Sequence, residues 1–133
     1  PAGTSNFWFP CGAGRGTIAA LLQDKPGTVH QPLNYDCIIN GRRTEGPNPG
    51  CGGMMRVAPL AFLPDLTPEQ LFEFACASAA LTHGRPEAFV ASGVIALYTR
   101  FAAQNMSANQ TINKTLSVLD GYKTDPAYQQ GVV

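Results

Sequence analysis

Hydrophobic positions recur at helical spacing through the second half of the chain. In residues 71–79, apolar side chains stand three or four positions apart, at Leu71, Phe72, Ala75, Cys76 and Ala79. The preceding Thr67 to Gln70 segment, TPEQ, combines an N-cap residue, a proline at the first helical position and a glutamine three residues after the cap. This pattern predicts a helix that begins after Thr67 and ends near Thr82, with Gly84 as its stop.

Two further helices are predicted downstream. Pro86 opens the first, which is apolar around most of its circumference as far as Phe101 and is therefore expected to be central, packed on several sides. Residues 107–110, SANQ, repeat the capping-box pattern and start the second helix, which Gly121 ends. Its apolar positions form a single stripe that predicts a surface helix: Ala108, Ile112, Leu116 and Leu119. Residues 122–133 are polar and are expected to fray.

The first half of the chain carries weaker patterns. A short helix is predicted over Thr17–Gln23, with Thr17 as its cap rather than as a ligand contact. Residues 24–50 contain four prolines and four glycines, which predict a long irregular loop. Apolar residues return at Met54–Phe62 and are expected to begin a helix. Because alternating strand patterns are nearly absent, the predicted class is all-α, a helical bundle.

Composition limits the classes of function. A chain of 133 residues is expected to form a single domain over 1–133. Nine basic and nine acidic residues balance to a formal net charge of zero, and without a basic stripe no nucleic-acid partner is predicted. No apolar run reaches the roughly 18 residues of a membrane helix, so no membrane partner is predicted. Four cysteines without a close pair, in a chain this apolar, indicate free thiols and a cytoplasmic setting rather than a zinc site or a disulfide framework.

Candidate chemistry concentrates in the glycine-rich turn before Met54. Gly50, Gly52 and Gly53 surround Cys51 and leave the backbone little side-chain bulk, so its N–H groups can approach a ligand closely. A helix N-terminus after such a turn favours anions. The spacing fits equally a tight turn before a buried helix, because isolated glycine-rich loops are weak motifs.

Three blocks of sequence resemble the ADP-ribosylglycohydrolases, an all-helical enzyme family. The strongest is residues 50–60, GCGGMMRVAPL, which looks like the central signature of that family. Residues 82–88, THGRPEA, carry the Thr-His pair that the family shows at a helix end beyond the signature. Upstream, residues 14–21, GRGTIAAL, resemble the helix start that precedes it. The resemblance implies a helical-bundle fold and hydrolysis of the glycosidic bond between ADP-ribose and a modified protein side chain.

The resemblance also implies a role for individual residues. The turn Gly50–Gly53 would hold the diphosphate, His83 would contact the ribose, and Met55 would pack, against the ribose or the adenine. Arg56 could pair with a substrate phosphate, cap neighbouring carbonyls or meet a buried carboxylate, and the family favours structural support. Cys51 is interpreted as a small residue that fits the turn rather than as a nucleophile. At the end of a helix, His83 is further expected to bind a proton more readily.

The acidic blocks that bind magnesium in the family are missing from this sequence. Members carry an Asp-Asp-Thr motif near the N-terminus and a Gly-Asp-x-Asp-Thr block near the C-terminus, whereas no two acids here are adjacent or separated by one residue. We therefore assign no catalytic and no metal-binding residue, and expect magnesium only in a longer enzyme. Residues 1–133 would be its middle part and inactive alone.

Two expectations about partners follow. As an enzyme segment, the chain would bind ADP-ribose or an ADP-ribosylated protein. The alternative is a non-catalytic ADP-ribose-binding or protein-interaction module, of the immunity type, that lacks the metal site. Helical faces left uncovered in a partial domain also predict self-association.

Overall fold

The computed structural model describes residues 14–33, 37–39, 42–44 and 46–132. Within these residues the chain forms four α-helices: α1 (Arg15–Leu21), α2 (Pro68–Ala80), α3 (Pro86–Ala103) and α4 (Ala108–Asp120). Short 3₁₀ helices span Met54–Arg56, Ala58–Phe62 and Gln129–Gly131. The predicted all-α class is confirmed. The long loop over 24–50 needs one correction, because β1 (Cys37–Ile39) and β2 (Arg42–Thr44) pair there as antiparallel strands with Cys37 opposite Thr44.

Capping boxes start α2 and α4 at the predicted residues. The Thr67 hydroxyl accepts a hydrogen bond from the Gln70 N–H at 3.2 Å, and the Gln70 side chain accepts one from the Thr67 N–H at 3.0 Å. Ser107 and Gln110 form the same reciprocal pair, with distances of 3.3 and 3.0 Å. Each box satisfies two N–H groups that a helix start would otherwise leave unpaired.

The predicted glycine stop of α2 is wrong. The helix ends at Ala80, where the N–H groups of Thr82 and His83 both donate to the carbonyl of Ala79. Gly84 instead lies where a Cβ atom would come within 2.7 Å of Pro32. Its small size therefore serves packing against the loop rather than a left-handed helix cap.

The core forms where α2 and α3 pack against each other. A Cβ atom on Gly93 would lie 2.4 Å from the ring of Phe72 and 2.7 Å from the sulfur of Cys76, so this glycine sets the distance between the helices. Helix α3 also contacts α4 and the 3₁₀ helices of the described residues. The predicted central position of α3 is confirmed. The main core cluster contains Val57, Leu71, Phe72, Ala75, Cys76, Ala79, Ala80, Phe89, Val90, Ala96, Leu97, Phe101 and Tyr128.

Helix α4 lies at the surface as predicted, but with a different face turned inward. Thr111 and Thr115 are its buried residues, whereas Ile112 and Leu116 of the predicted apolar stripe are 46% and 53% exposed. The Thr115 hydroxyl donates to the carbonyl of Thr111 at 2.9 Å, so one of the buried hydroxyls is satisfied within the helix. Thr115 can therefore pack inward, because its methyl group fills space while its hydroxyl bonds back to the backbone. The buried hydroxyl of Thr111 has no hydrogen-bond partner among the described residues.

The C-terminal segment is ordered, so the predicted fraying of residues 122–133 is wrong for its described part. The ring of Tyr122 lies 4.6 Å from that of Phe72, and Tyr128 packs on Phe72 at 5.8 Å and edge-on against Phe89 at 5.9 Å. The Tyr122 hydroxyl donates to Glu73 at 2.9 Å. Two tyrosines separated by polar residues thus attach the segment to the core.

Arg100 of α3 binds the irregular segment that connects the second 3₁₀ helix to α2. Its guanidinium donates to three backbone carbonyls, those of Ala61, Leu63 and Leu66. Asp65, within this segment, has a φ of 62°, in the left-handed region. The planar fork of arginine suits this task because its donors reach several acceptors at once.

Replacing Gly93 by alanine is expected to lower the free energy of unfolding. Helix propensity would add about 1 kcal/mol of stability. We expect overpacking of about 1–3 kcal/mol against Phe72 and Cys76 to outweigh it. The matched control is Gly121→Ala, where the nearest atom to a new Cβ is the Val118 carbonyl oxygen at 3.4 Å. Urea unfolding should show a clear loss for Gly93→Ala and none for Gly121→Ala, and equal midpoints would contradict the packing argument.

Replacing Arg100 by lysine is expected to destabilise the chain although the charge is kept. An ammonium group cannot reach the three carbonyls with the geometry of the guanidinium, so we expect a loss of about 1–3 kcal/mol. Arg85→Lys is the control, since Arg85 forms an exposed pair with Glu87 and such pairs contribute about 0–1 kcal/mol. If thermal unfolding ranks the two variants in the opposite order, the stabilising role of the three Arg100 hydrogen bonds is disproved.

Candidate functional site

The glycine-rich turn lies directly over the ring of His83. A Cβ atom on Gly52 would stand 2.9 Å from both Cε1 and Nε2 of His83, and one on Gly50 would stand 3.4 Å from Nε2. Gly53 rests on the helix pair, where its Cβ atom would lie 2.7 Å from the Ala79 Cβ atom. The turn therefore needs glycine because it is pressed against α2 and the imidazole.

Of the four backbone N–H groups in this turn, one donates to a side chain and three have no acceptor among the described residues. The N–H of Gly50 donates to the side-chain oxygen of the buried Asn48 at 2.9 Å. Among the described residues, the N–H groups of Cys51, Gly52 and Gly53 have no acceptor. Cys51 is exposed and Gly52 is half-buried, so their donors lie near the surface of the turn.

The residues after the turn do not form the predicted α-helix. Met54–Arg56 is a three-residue 3₁₀ helix, too short for a useful dipole, and a second 3₁₀ helix covers Ala58–Phe62. Preference for an anion would therefore come from the individual N–H groups of the turn. Met55 is 71% exposed and does not pack into the core.

His83 is buried beneath the turn and forms a hydrogen-bonded pair with its neighbour. Its side chain is 3% exposed, and its Nδ1 atom lies 2.8 Å from the Thr82 hydroxyl. Burial, and then the positive charge of Arg56, lower the pKa of His83. The prediction that a helix end would raise its proton affinity is wrong, because loss of hydration outweighs the partial charge of the helix. The ring is neutral at pH 7.

Arg56 reaches the end of α2 with its guanidinium. It donates to the carbonyl of Ser78 at 2.6 Å and makes a longer contact of 3.5 Å with the carbonyl of Ala79. This is the carbonyl-capping geometry, and it places a positive charge beside His83. Desolvation lowers the pKa of Arg56, yet a guanidinium keeps its charge in proteins.

A cleft of about 490 Å³ opens between α1 and the end of α2. Its polar lining includes Thr17, Arg56 and Thr82, and its apolar walls include Leu21 and Leu81. The volume lies within the range of small-molecule sites, about 300–1,000 Å³. This cleft adjoins the turn, because the Thr17 hydroxyl would lie 3.1 Å from a Cβ atom on Gly52.

The structure therefore corrects the predicted role of Thr17. Helix α1 begins at Arg15 with Gly14 as its N-cap, so Thr17 lies inside the helix rather than at its cap. Sequence reasoning also assigned no role to Asn48 or Thr82. Asn48 lies just before the turn, and Thr82 belongs to the Thr-His pair. Their position beside these motifs is the sequence feature that could have indicated a role in the site.

The described residues do not fit a magnesium site. Among them, no group of three or more His, Cys, Asp or Glu side chains comes together to hold a metal ion. Cys51 and Cys76 are free thiols, exposed and buried respectively. Cys11 and the side chain of Cys37 lie outside the described part of the chain. In that described part, no helix is long and apolar enough to cross a bilayer.

Comparison with known families identifies the chain. The family model described as ADP-ribosylglycohydrolase matches residues 3–132, and the chain belongs to this family. This membership supports a glycohydrolase-type function and an ADP-ribosylated substrate in general. Neither the search of curated proteins nor the search of solved structures gave a match.

The burial of a neutral His83 predicts a pH dependence of stability. The pKa of this histidine is lower in the fold than in the unfolded chain, where it is about 6.5. The contribution of neutral His83 to the free energy of unfolding is therefore present above about pH 6.5. It is lost as the pH falls from there through the pKa of the folded state.

The free energy of unfolding should accordingly fall between about pH 7.5 and pH 5, and the fall should be smaller in His83→Gln than in the wild type. His30 is exposed, so His30→Gln is the matched control and should behave like the wild type. Urea unfolding at each pH measures the effect. Parallel curves for the wild type and His83→Gln would contradict the assignment.

Proposed function

We propose that this chain is the substrate-binding segment of a hydrolase that cleaves the glycosidic bond between ADP-ribose and a modified protein side chain. The turn Gly50–Gly53 holds the diphosphate and the adjoining ribose. The observation that carries the proposal is that the N–H groups of Cys51, Gly52 and Gly53 have no acceptor among the described residues, in a turn whose Gly50 and Gly52 lie against the buried imidazole of His83. Phosphate oxygens accept hydrogen bonds from such groups without needing a charged side chain.

The surrounding side chains divide the remaining work. His83 is neutral, so its ring can exchange a hydrogen bond with a ribose hydroxyl without adding a charge. Arg56 is held on the carbonyl of Ser78 and acts as support that adds positive potential to the cleft. The exposed side chain of Met55 offers an apolar surface for the ribose or the adenine.

Magnesium enters the proposal only for the full-length family enzyme. The described residues bring no ligand set together, so we derive no step through a metal. We propose that residues 1–133 are the middle part of a longer helical domain. This part binds the substrate but does not cleave it alone. We also propose a cytoplasmic setting, supported by the free thiols of Cys51 and Cys76.

Self-association is a further part of the proposal. The apolar side chains of Ile112 and Leu116 project from α4 into solvent. Exposed apolar side chains one helical turn apart offer a contact for a partner or a second copy.

The proposal is tested by titration calorimetry of the chain with ADP-ribose. We expect measurable binding to the wild type and an affinity reduced by about tenfold or more in Gly52→Ala, because the new methyl group would collide with the His83 ring. Gly121→Ala, remote from the turn, is the control and should bind like the wild type. Adenosine, which lacks the diphosphate, should bind more weakly than ADP-ribose.

Three outcomes would change the conclusion. Absence of ADP-ribose binding to the folded wild-type chain would reject the proposal, and an unchanged affinity in Gly52→Ala would reject the turn as the diphosphate site. If the full-length protein binds ADP-ribose but releases none from an ADP-ribosylated protein in the presence of magnesium, the alternative holds. The protein would then be a non-catalytic ADP-ribose-binding or interaction module.

A further inference from the structure

Thr82 and His83 form a buried pair of consecutive side chains beneath the turn. The Thr82 hydroxyl lies 2.8 Å from Nδ1 of His83, and the two residues are 4% and 3% exposed. The opposite edge of the ring, with Nε2, faces the turn, since Cβ atoms on Gly50 and Gly52 would lie 3.4 and 2.9 Å from that nitrogen. The ring is thus bounded by a hydroxyl on one edge and by the turn on the other.

This arrangement couples the role of Nδ1 toward Thr82 to the role of Nε2 at the turn. A neutral imidazole has one N–H donor and one bare acceptor, and the hydrogen bond made by one nitrogen fixes the role of the other. If the Thr82 hydroxyl donates to Nδ1, Nε2 carries the proton and donates at the turn; if the hydroxyl accepts from Nδ1–H, Nε2 is the bare acceptor. This hydrogen bond also resists rotation of the ring about its last side-chain torsion.

We propose that Thr82 is a positioning residue, which holds the His83 ring in one neutral tautomer and one orientation with Nε2 facing the turn. The ligand part of this inference rests on the proposed function, whereas the tautomer part rests on the geometry of the pair. A ring that exchanged tautomers would meet the ligand in the competent form for only a fraction of the time, and the apparent affinity would fall by that fraction.

The hydroxyl of Thr82 can be removed without removing the helix end. The backbone N–H of Thr82 donates to the carbonyl of Ala79 at 3.1 Å, which does not depend on the side chain. Thr82→Val keeps the branched shape and deletes the hydroxyl, whereas Thr82→Ser keeps the hydroxyl and deletes a methyl group. The two variants separate the hydrogen bond from the packing.

The test is long-range ¹H–¹⁵N correlation of the imidazole nitrogens in the ligand-free chain at about pH 7.5, where His83 is neutral. We expect a single tautomer of His83 in the wild type and in Thr82→Ser, and a mixture or the other tautomer in Thr82→Val. The exposed His30 serves as a reference in the same spectra and should not change. ADP-ribose affinity should fall about 2- to 10-fold in Thr82→Val, the range of one lost hydrogen bond, and recover in Thr82→Ser.

Several results would overturn the inference. Two exchanging tautomers of His83 in the wild type would refute it without any variant, as would an unchanged tautomer in a folded Thr82→Val chain. If Thr82→Val does not fold, Thr82→Ala provides the same comparison. A changed tautomer with unchanged ADP-ribose affinity would refute positioning for binding. Absence of ADP-ribose binding to the wild type would refute the proposed function, while the tautomer result would still stand.

Discussion

The close approach of α2 and α3 is the constraint on which the rest of the structure depends. At Gly93 there is no room for a methyl group between α3 and the side chains of Phe72 and Cys76. The same pair of helices supports the turn, because a Cβ atom on Gly53 would collide with Ala79 of α2 and come within 3.3 Å of the Ser92 hydroxyl of α3. The crossing of α2 and α3 therefore sets the position of the turn and of its backbone N–H groups. Packing this tight has little tolerance for added volume.

The electrostatics of the site follow from that packing. Because α2 ends beneath the turn, His83 is covered and loses hydration, and its pKa falls. Arg56 satisfies a carbonyl at the end of α2 and places its charge close enough to lower the pKa of His83 further. A protonated histidine there would be doubly unfavourable, so the fold selects a neutral ring. The sign of this effect is opposite to the simple expectation for a histidine at a helix C-terminus.

Sequence patterns predicted what depends on neighbouring residues and failed where distant contacts decide. The capping boxes at Thr67 and Ser107 are local, and both were found where expected. The direction in which α4 faces is not local. Its threonines are buried while Ile112 and Leu116 are exposed, and a count of apolar positions cannot register that. The tyrosines of the C-terminal segment were hidden by the polar residues between them, although Phe72 binds both rings.

The candidate site shows the same division. The order of the three sequence blocks was enough to identify the family, but it could not reveal that Thr17 lines a cleft instead of capping α1.

The two interpretations of the glycine-rich turn, tight packing and ligand binding, are compatible, because the same glycines serve both. The turn is pressed against the His83 ring, and the N–H groups of Cys51 and Gly52 are left without acceptors in the described structure. An unpaired backbone donor costs about 1–3 kcal/mol when it is shielded from water. Cys51 is exposed, so water can satisfy its N–H group, and an oxygen-rich ligand that replaces this water meets donors already in position. The glycines that permit the close packing thus also produce the donors that the proposed function requires.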